Sequence, residues 1–280
     1  MHRDDIMLIH LGGLGDMCLS ESTFFSVSEH FKEGIIALGY MRFLRLFKGY
    51  FKAIERVESA KWLPLFSQNE SGDTWKRIIF IGKDREGTLR KRWSCISKEH
   101  MIFIEMYPED CFIAPGDMRL GGYHVEDFQL TQLKSYGIEA KKKEIIPNIS
   151  KRVILYPEKG FEKKKWHYEN FLKLYDSLKE RGIVVYILKS MGLEIDVKGA
   201  VFFDELHDIR DFFNDGGIFV SNDSGMAHFA GMCGLYTITI FSDFDPYVWH
   251  PRGKGTFVGC SEGKVDIALI ESKIEEALKV

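Results

Sequence analysis

The sequence predicts an α/β fold built from two doubly wound parallel-sheet domains. Three observations carry that expectation. Short apolar runs such as Ile6–Leu11, Val153–Tyr156 and Ile218–Ser221 are continuous rather than alternating, as strands buried on both faces require. Each run is followed by a polar or glycine-containing turn and then by a helical pattern, so the chain repeats strand, turn, helix. The repeat stops at a basic, proline-containing stretch, Lys141–Ser150, and then restarts. This divides the chain into residues 1–147 and 148–280.

In the first domain, Ile6–Leu11 leads into Gly12-Gly13-Leu14-Gly15-Asp16 and a helix expected to reach about His30. Glycines at such a junction, here Gly13 and Gly15, let the backbone approach a ligand closely. The turn is not a dinucleotide fingerprint. Counted from Gly13, the third glycine position is Cys18, and the next strand, Ile35–Leu38, is followed by Gly39-Tyr40 rather than by an acid for a ribose. No phosphate-loop motif G-x-x-x-x-G-K-S/T occurs either.

From Tyr40 to Val57, apolar residues recur at helical spacing, with Arg42, Arg45, Lys48, Lys52 and Arg56 on the other side. The spacing predicts one helix over 40–57. Its basic face reads as ordinary solvated surface or as a patch for an anionic membrane or acidic glycolipid. Ile78–Gly82 and Met101–Glu105 read as strands, and the charged segment 83–92 between them as a loop or exposed surface. Tyr123–Tyr136 reads as a helix, with His124 in a structural role.

The second domain opens on Val153–Tyr156. In the following helix Trp166, Phe171, Leu174, Tyr175 and Leu178 can share one face, with Gly182 as the stop. Ile183–Leu188 is the next strand. The strand Ile218–Ser221 then turns through Asn222-Asp223-Ser224-Gly225 into a helix from Met226 to Cys233, ending at Gly234. Leu235–Phe241 is a β-branched strand broken by Ser242–Pro246, and a last helix is expected over 264–278. Asp223, Ser224, Gly225 and His228 therefore gather where a strand ends and a helix begins. Exposed amides at such a place favour a phosphate.

Bulk properties narrow the function. Of 280 residues 45% are hydrophobic, enough for a sizeable core, and the net charge of −3 argues against a nucleic-acid binder. The five cysteines are scattered without a C-x-x-C pair, so they read as buried thiols in a reducing compartment rather than as a zinc cage or a disulfide framework. The amino-terminal MHRDDIMLIHLGG reads as a strand rather than a signal peptide, and no apolar run reaches the roughly 20 residues of a spanning helix. A cytoplasmic protein, or one peripheral at the inner membrane, is expected.

DSGMAHFAGMCG followed by TITIFSDFDP resembles the donor-site signature of glycosyltransferase family 9, the lipopolysaccharide heptosyltransferases. That signature is D-T/S-G-x-x-H-x-A, then G-x-P-x-V/I-x-L/I-F/Y-G-x-T/S-D-P. Asp223, Ser224, Gly225, His228, Ala230, Gly234, Phe241, Asp245 and Pro246 match, while Tyr236 replaces a proline and Ser242 a glycine. LIHLGGLGDMCLS is similar to the family's opening, G-x-L/I/M-G-D, and Lys164–Phe171 to its K-x-W-P-x-E-x-F/W, with His167 in place of the proline. Pro157-Glu158-Lys159-Gly160 stands where the family has P-G-A/T-S/T, so a small hydroxyl is missing and Glu158 would repel a phosphate.

The resemblance implies two Rossmann-like domains facing a cleft, the glycosyltransferase B architecture, and an inverting sugar transfer from a nucleoside diphosphate donor. ADP-heptose is the first choice of donor, with a glycolipid or oligosaccharide acceptor, and no cofactor or metal is expected. Asp16 maps to the family's catalytic base, although as a residue it reads equally as a turn aspartate capping the helix. Such chemistry needs a base for the acceptor hydroxyl and a sink for the departing diphosphate charge. Lys164, supported by Lys159 and the helix start at Ser224, Gly225 and Met226, would supply the sink. Asp223 could hold sugar hydroxyls, and His228 could hold Asp223 or touch the phosphate. Lys163 and Lys165 read as a solvated charge run.

Asp243-Phe244-Asp245 also fits the short D-x-D pattern of metal-dependent transferases, although hard-oxygen sites usually need more ligands than this. Two other readings compete: a non-catalytic nucleotide or nucleotide-sugar binder on the same scaffold, and a glycosyltransferase-like epimerase or phosphorylase.

Overall fold

The computed structural model describes residues 2–67, 74–108, 123–158, 165–194 and 196–279. The chain forms two compact units, and among the described residues it passes from one to the other between Lys143 and Glu144.

The first unit runs β1 (His2–His10), α1 (Leu14–Leu19), α2 (Glu21–His30), β2 (Ile35–Gly39), α3 (Met41–Leu44), β3 (Ala53–Arg56), α4 (Leu63–Phe66), β4 (Thr74–Gly82), α5 (Thr88–Ser94), β5 (Ile102–Glu105) and α6 (Val125–Ser135). Its five strands are all parallel, in the order β3-β2-β1-β4-β5. Ile6 to Ile9 of β1 are fully buried, because the central strand has neighbours on both edges and side chains packed on both faces. Met7, Ile9, Ile78, Phe80 and Trp93 belong to one core cluster. The Trp93 indole donates to the Leu65 carbonyl at 3.0 Å, which satisfies its buried N–H.

Two local expectations fail here and a third holds in part. The predicted helix over 40–57 does not form as one helix. Met41–Leu44 is α-helical, Arg45–Tyr50 is a 3-10 helix, and Ala53–Arg56 is the edge strand β3. β3 pairs with β2 from Ile36↔Ala53 to Gly39↔Arg56. The outer edge of β2 offers a row of backbone partners, and Gly49 weakens a helix at the point where the chain turns toward it. The basic residues therefore share no single helical face. The charged segment 83–92 is mostly exposed, as expected, but it is not all loop, since α5 starts at Thr88 with the Asp84 carboxylate accepting from the Leu89 and Arg90 amides. The helix expected to reach His30 is interrupted at Ser20 into α1 and α2.

The second unit runs β6 (Arg152–Tyr156), α7 (Tyr168–Glu180), β7 (Val184–Leu188), β8 (Ala200–Val201), α8 (Leu206–Phe213), β9 (Ile218–Asn222), α9 (Gly225–Met232), β10 (Tyr236–Phe241), α10 (Pro246–Trp249), β11 (Gly255–Gly259) and α11 (Ile267–Ala277). Its six strands are parallel, in the order β11-β10-β9-β6-β7-β8. Phe171, Leu174, Tyr175 and Leu178 of α7 are buried on the sheet at helical spacing, each side chain contributing about 1.5–3 kcal/mol. Trp166 precedes the helix and meets Phe171 edge to face at 4.6 Å between centroids.

Two departures from the family motif are structurally benign. His167 caps α7 with φ −64°, a value a proline would also adopt. The Tyr236 N–H donates to the Gly217 carbonyl at 3.0 Å, a bond no proline could make. Of the cysteines expected to be buried, Cys18 and Cys260 are, whereas Cys95 is exposed.

The loop between α10 and β11 packs backbone to backbone on α9. A Cβ added at Gly231 would lie 2.3 Å from the Arg252 carbonyl oxygen and 3.0 Å from the Pro251 Cβ. Gly231→Ala should therefore lower stability by about 1–3 kcal/mol, because neither backbone can yield without moving the other. A fall in the urea midpoint at unchanged m-value would show it, and an unchanged midpoint would refute the contact.

Candidate functional site

Both sheets reverse their winding between two adjacent strands, and that is where open α/β sheets bind ligands. In the first unit the chain winds outward from β1 through β2 and β3, then returns to β4 on the other side of β1. The turn after β1 carries the glycines and Asp16. Gly13 is the N-cap of α1, and its N–H donates to Asp16 Oδ2 at 2.9 Å, so the acid three residues on satisfies the N-cap amide. The Tyr107 hydroxyl, just beyond β5, donates to Asp16 Oδ1 at 3.2 Å. Burial raises the Asp16 pKa above the ordinary carboxylate value, opposed by the Gly13 and Tyr107 hydrogen bonds. Gly12 permits this packing. A Cβ there would fall 2.6 Å from Asp16 Cβ and 2.8 Å from its Oδ2.

A buried polar chain lies beneath the turn. The Gly12 N–H donates to His10 Nδ1 at 3.2 Å, so the ring hydrogen sits on Nε2 and is donated to Ser20 Oγ at 3.1 Å. The Ser20 hydroxyl donates to the Asp16 carbonyl at 2.8 Å, and Gln129 Nε2 donates to Ser20 Oγ at 3.1 Å. Burial pushes the His10 pKa down to about 3, so the ring is neutral and acts as a fixed strut.

In the second unit the winding reverses between β6 and β9. Glu158 lies beyond β6, and Asp223 follows β9 directly. Ser224 caps α9 by accepting from the Ala227 N–H at 3.3 Å. Gly225 and Met226 open the helix, where amides have no intrahelical acceptors. His228 Nε2 is 3.8 Å from Asp223 Oδ1, and the two side chains are 7% and 20% exposed. Burial raises the Asp223 pKa to about 7, with the Glu158 charge adding to the rise and Lys165 opposing it. Lys165 Nζ is itself 3.2 Å from Glu158 Oε2.

Gly13, Gly15 and Asp16 thus share one turn, and Asp223, Ser224, Gly225, Met226 and His228 share another. Asp245 stands apart in role: its Oδ1 accepts from the Tyr247 N–H at 2.9 Å and caps α10. Lys159 and Lys164 lie outside the described residues. Among the described residues no group of three or more His, Cys, Asp or Glu side chains is placed to hold a metal ion. His124 caps α6 by accepting from the Glu126 N–H at 3.3 Å, a structural role.

The sequence reading missed three residues. Lys165 is a partner of Glu158 rather than a solvated bystander, and the acid at position 158 was the signal for it. Asn222 brackets the Trp166 backbone: its Oδ1 accepts from the Trp166 N–H and its Nδ2 donates to the Trp166 carbonyl, both at 3.1 Å. Tyr107 lies 91 residues from Asp16, and no local pattern joins them.

Two parallel α/β units, each gathering titratable groups where its winding reverses, form the class of fold this chain presents. Among solved structures it is similar over its whole length to glycosyltransferases. A glycosyl transferase of family 9 from Veillonella parvula DSM 2008 matches with a TM-score of 0.72 and 11% identity, covering 100% of this chain and 98% of that one. The E. coli heptosyltransferase WaaC, solved with ADP, matches with a TM-score of 0.67 and 12% identity over 99% and 100%. The E. coli ADP-heptose lipopolysaccharide heptosyltransferase II matches with a TM-score of 0.66 and 12% identity over 98% and 98%. At these identities what is shared is the fold. No family model and no curated protein matches the sequence.

Proposed function

We propose that this protein is an inverting glycosyltransferase of the family 9 type, built on a glycosyltransferase B scaffold. It moves a heptose-like sugar from a nucleoside diphosphate donor to a lipopolysaccharide-core or other glycan acceptor, with Asp16 as base. The observation that carries the reading is the Asp16 carboxylate, half-buried and held by two hydrogen-bond donors where the first sheet reverses, in a chain whose fold matches two heptosyltransferases end to end. A base of raised pKa suits deprotonation of an acceptor hydroxyl. The helix start at Ser224, Gly225 and Met226, with Lys164 as the resemblance assigns it and Lys159 in support, would take the diphosphate. WaaC was solved with ADP and with ADP-2-deoxy-2-fluoro heptose, which makes ADP-heptose the first donor to try.

The protein works without a metal in this reading, in the cytoplasm or peripherally at the inner membrane. No helix of the described residues is long and apolar enough to cross a membrane. A second reading, a nucleotide-sugar binder without turnover, is favoured by one observation. Glu158 sits close enough to Asp223 to raise its pKa, an acidic pairing unhelpful to a diphosphate.

Thermal denaturation against ADP, UDP, GDP and CDP, with and without magnesium, tests the donor site. Ligand at 100 times its dissociation constant should add about 2.7 kcal/mol to stability. A metal-independent shift with ADP, lost in Lys164→Ala, is the expected result. No shift with any nucleotide would sink the donor site, and a shift that requires magnesium would move weight to Asp243 and Asp245.

A further inference from the structure

We propose that Tyr107 is a positioning residue for the proposed base, clamping the Asp16 carboxylate from outside its own turn under the hold of Lys83. The inference rests on the transferase reading and deepens it. Asp16 Oδ2 is engaged by the Gly13 N–H at 2.9 Å, a bond within one turn that moves with the turn. The Tyr107 hydroxyl reaches Oδ1 at 3.2 Å from the segment after β5, so it ties the carboxylate to the opposite side of the sheet's reversal point. Lys83, the first residue after β4, places its ammonium 5.1 Å from the centroid of the Tyr107 ring. That contact orients the ring, and a cation over its face makes the phenol a better donor.

Each carboxylate oxygen has two lone pairs. A clamp of one donor on each oxygen fixes the rotation of the group and leaves a lone pair on each for an acceptor hydroxyl. A base held this way reaches its reactive geometry without a search.

The clamp also opposes the effect of burial on Asp16. Among the described residues the reversal point also carries His10 at the end of β1, held neutral by burial, and Glu105 at the end of β5, whose own pKa is raised by burial and lowered in part by the Tyr107 N–H, Lys83 and Arg90. Neither donates to the Asp16 carboxylate, whereas Tyr107 does. Removing the Tyr107 hydroxyl withdraws a bond that favours the charged form, so the Asp16 titration moves to higher pH.

Tyr107→Phe in the full chain tests this. The Asp16 carboxyl is followed by carbon NMR through a pH titration, its signal identified by its loss in Asp16→Asn. Transfer is followed with ADP-heptose and a deacylated lipopolysaccharide core. The expected result is a titration displaced to higher pH, an acid limb of kcat displaced with it, and a plateau kcat about tenfold lower, the scale of one hydrogen bond to a charged group. KM for the donor and the melting temperature should stay unchanged. Lys83→Met should move the titration the same way by less. An Asp16 titration unmoved in Tyr107→Phe, at unchanged melting temperature, overturns the proposal whatever the activity. A displaced titration in a protein that transfers no sugar overturns the transferase reading, and Tyr107's role in transfer with it.

Discussion

Asp16→Asn should abolish most sugar transfer, lowering kcat by about 10²–10⁴-fold, the usual worth of a positioned general base. Nucleotide binding should survive, because Asp16 belongs to the first unit and the proposed donor groups to the second. Asparagine has nearly the same shape: its side-chain oxygen can still accept from the Gly13 N–H, while its NH2 can donate to the Tyr107 hydroxyl oxygen, which is both donor and acceptor. What it lacks is basicity. Paired measurements of kcat and of the thermal shift with ADP decide the matter. Loss of turnover with the shift retained supports the base. Turnover within threefold of the wild type would remove Asp16 from the mechanism and leave it the capping role its bond to Gly13 already provides.

Asp223→Asn should change how stability depends on pH. Burial, reinforced by Glu158, raises the Asp223 pKa to about 7 from an ordinary 3.8. Between those values the folded protein holds a proton that the unfolded chain has released. Folded stability therefore falls as pH rises from about 4 to about 7, by up to about 1.4 kcal/mol per pH unit from this group, and is flat above that. His10 works in the opposite sense: its pKa, lowered to about 3, adds stability that is present above about 6.5 and lost as pH falls. Comparing Asp223→Asn with the wild type isolates the first effect, since His10 is common to both. Urea unfolding at pH 5 and pH 8 should show the variant gaining on the wild type at the higher pH. An equal difference at both values would mean that Asp223 is ionised in the fold throughout this range. Near neutral pH a protonated Asp223 also spares a bound diphosphate a second negative neighbour beside Glu158, so ADP should bind more weakly at pH 8 than at pH 6 in the wild type.

Much of the fold was legible because parallel strands announce themselves. Residues 6–9 of β1, 153–155 of β6 and 218–220 of β9 are buried and apolar without alternation, and the turns after β1 and β9 carry the glycines and caps that a strand-to-helix junction needs. The likeness to family 9 was legible for a related reason. Asp223, Ser224, Gly225 and His228 lie within six residues of one another on one turn and one helix, so their pattern survives as a written motif. The 40–57 segment was misread because its helical spacing was genuine but weaker than the pull of an open strand edge on β2.

The sequence by itself determined the α/β class, the strand-to-helix turns and the identity of the acids that stand on them. Local backbone geometry and burial on both faces leave their mark on adjacent residues, and adjacent residues are what a sequence displays. Only the tertiary structure decided how those acids are held. Tyr107 reaches Asp16 from beyond β5, Lys165 pairs with Glu158 beside Asp223, and His10 braces the Asp16 turn through Ser20. Burial and these contacts together set whether a carboxylate is charged, and the reach of Tyr107 to Asp16 depends on which strands lie side by side. Strand order is settled by the packing of whole sheets, and no short stretch of residues records it.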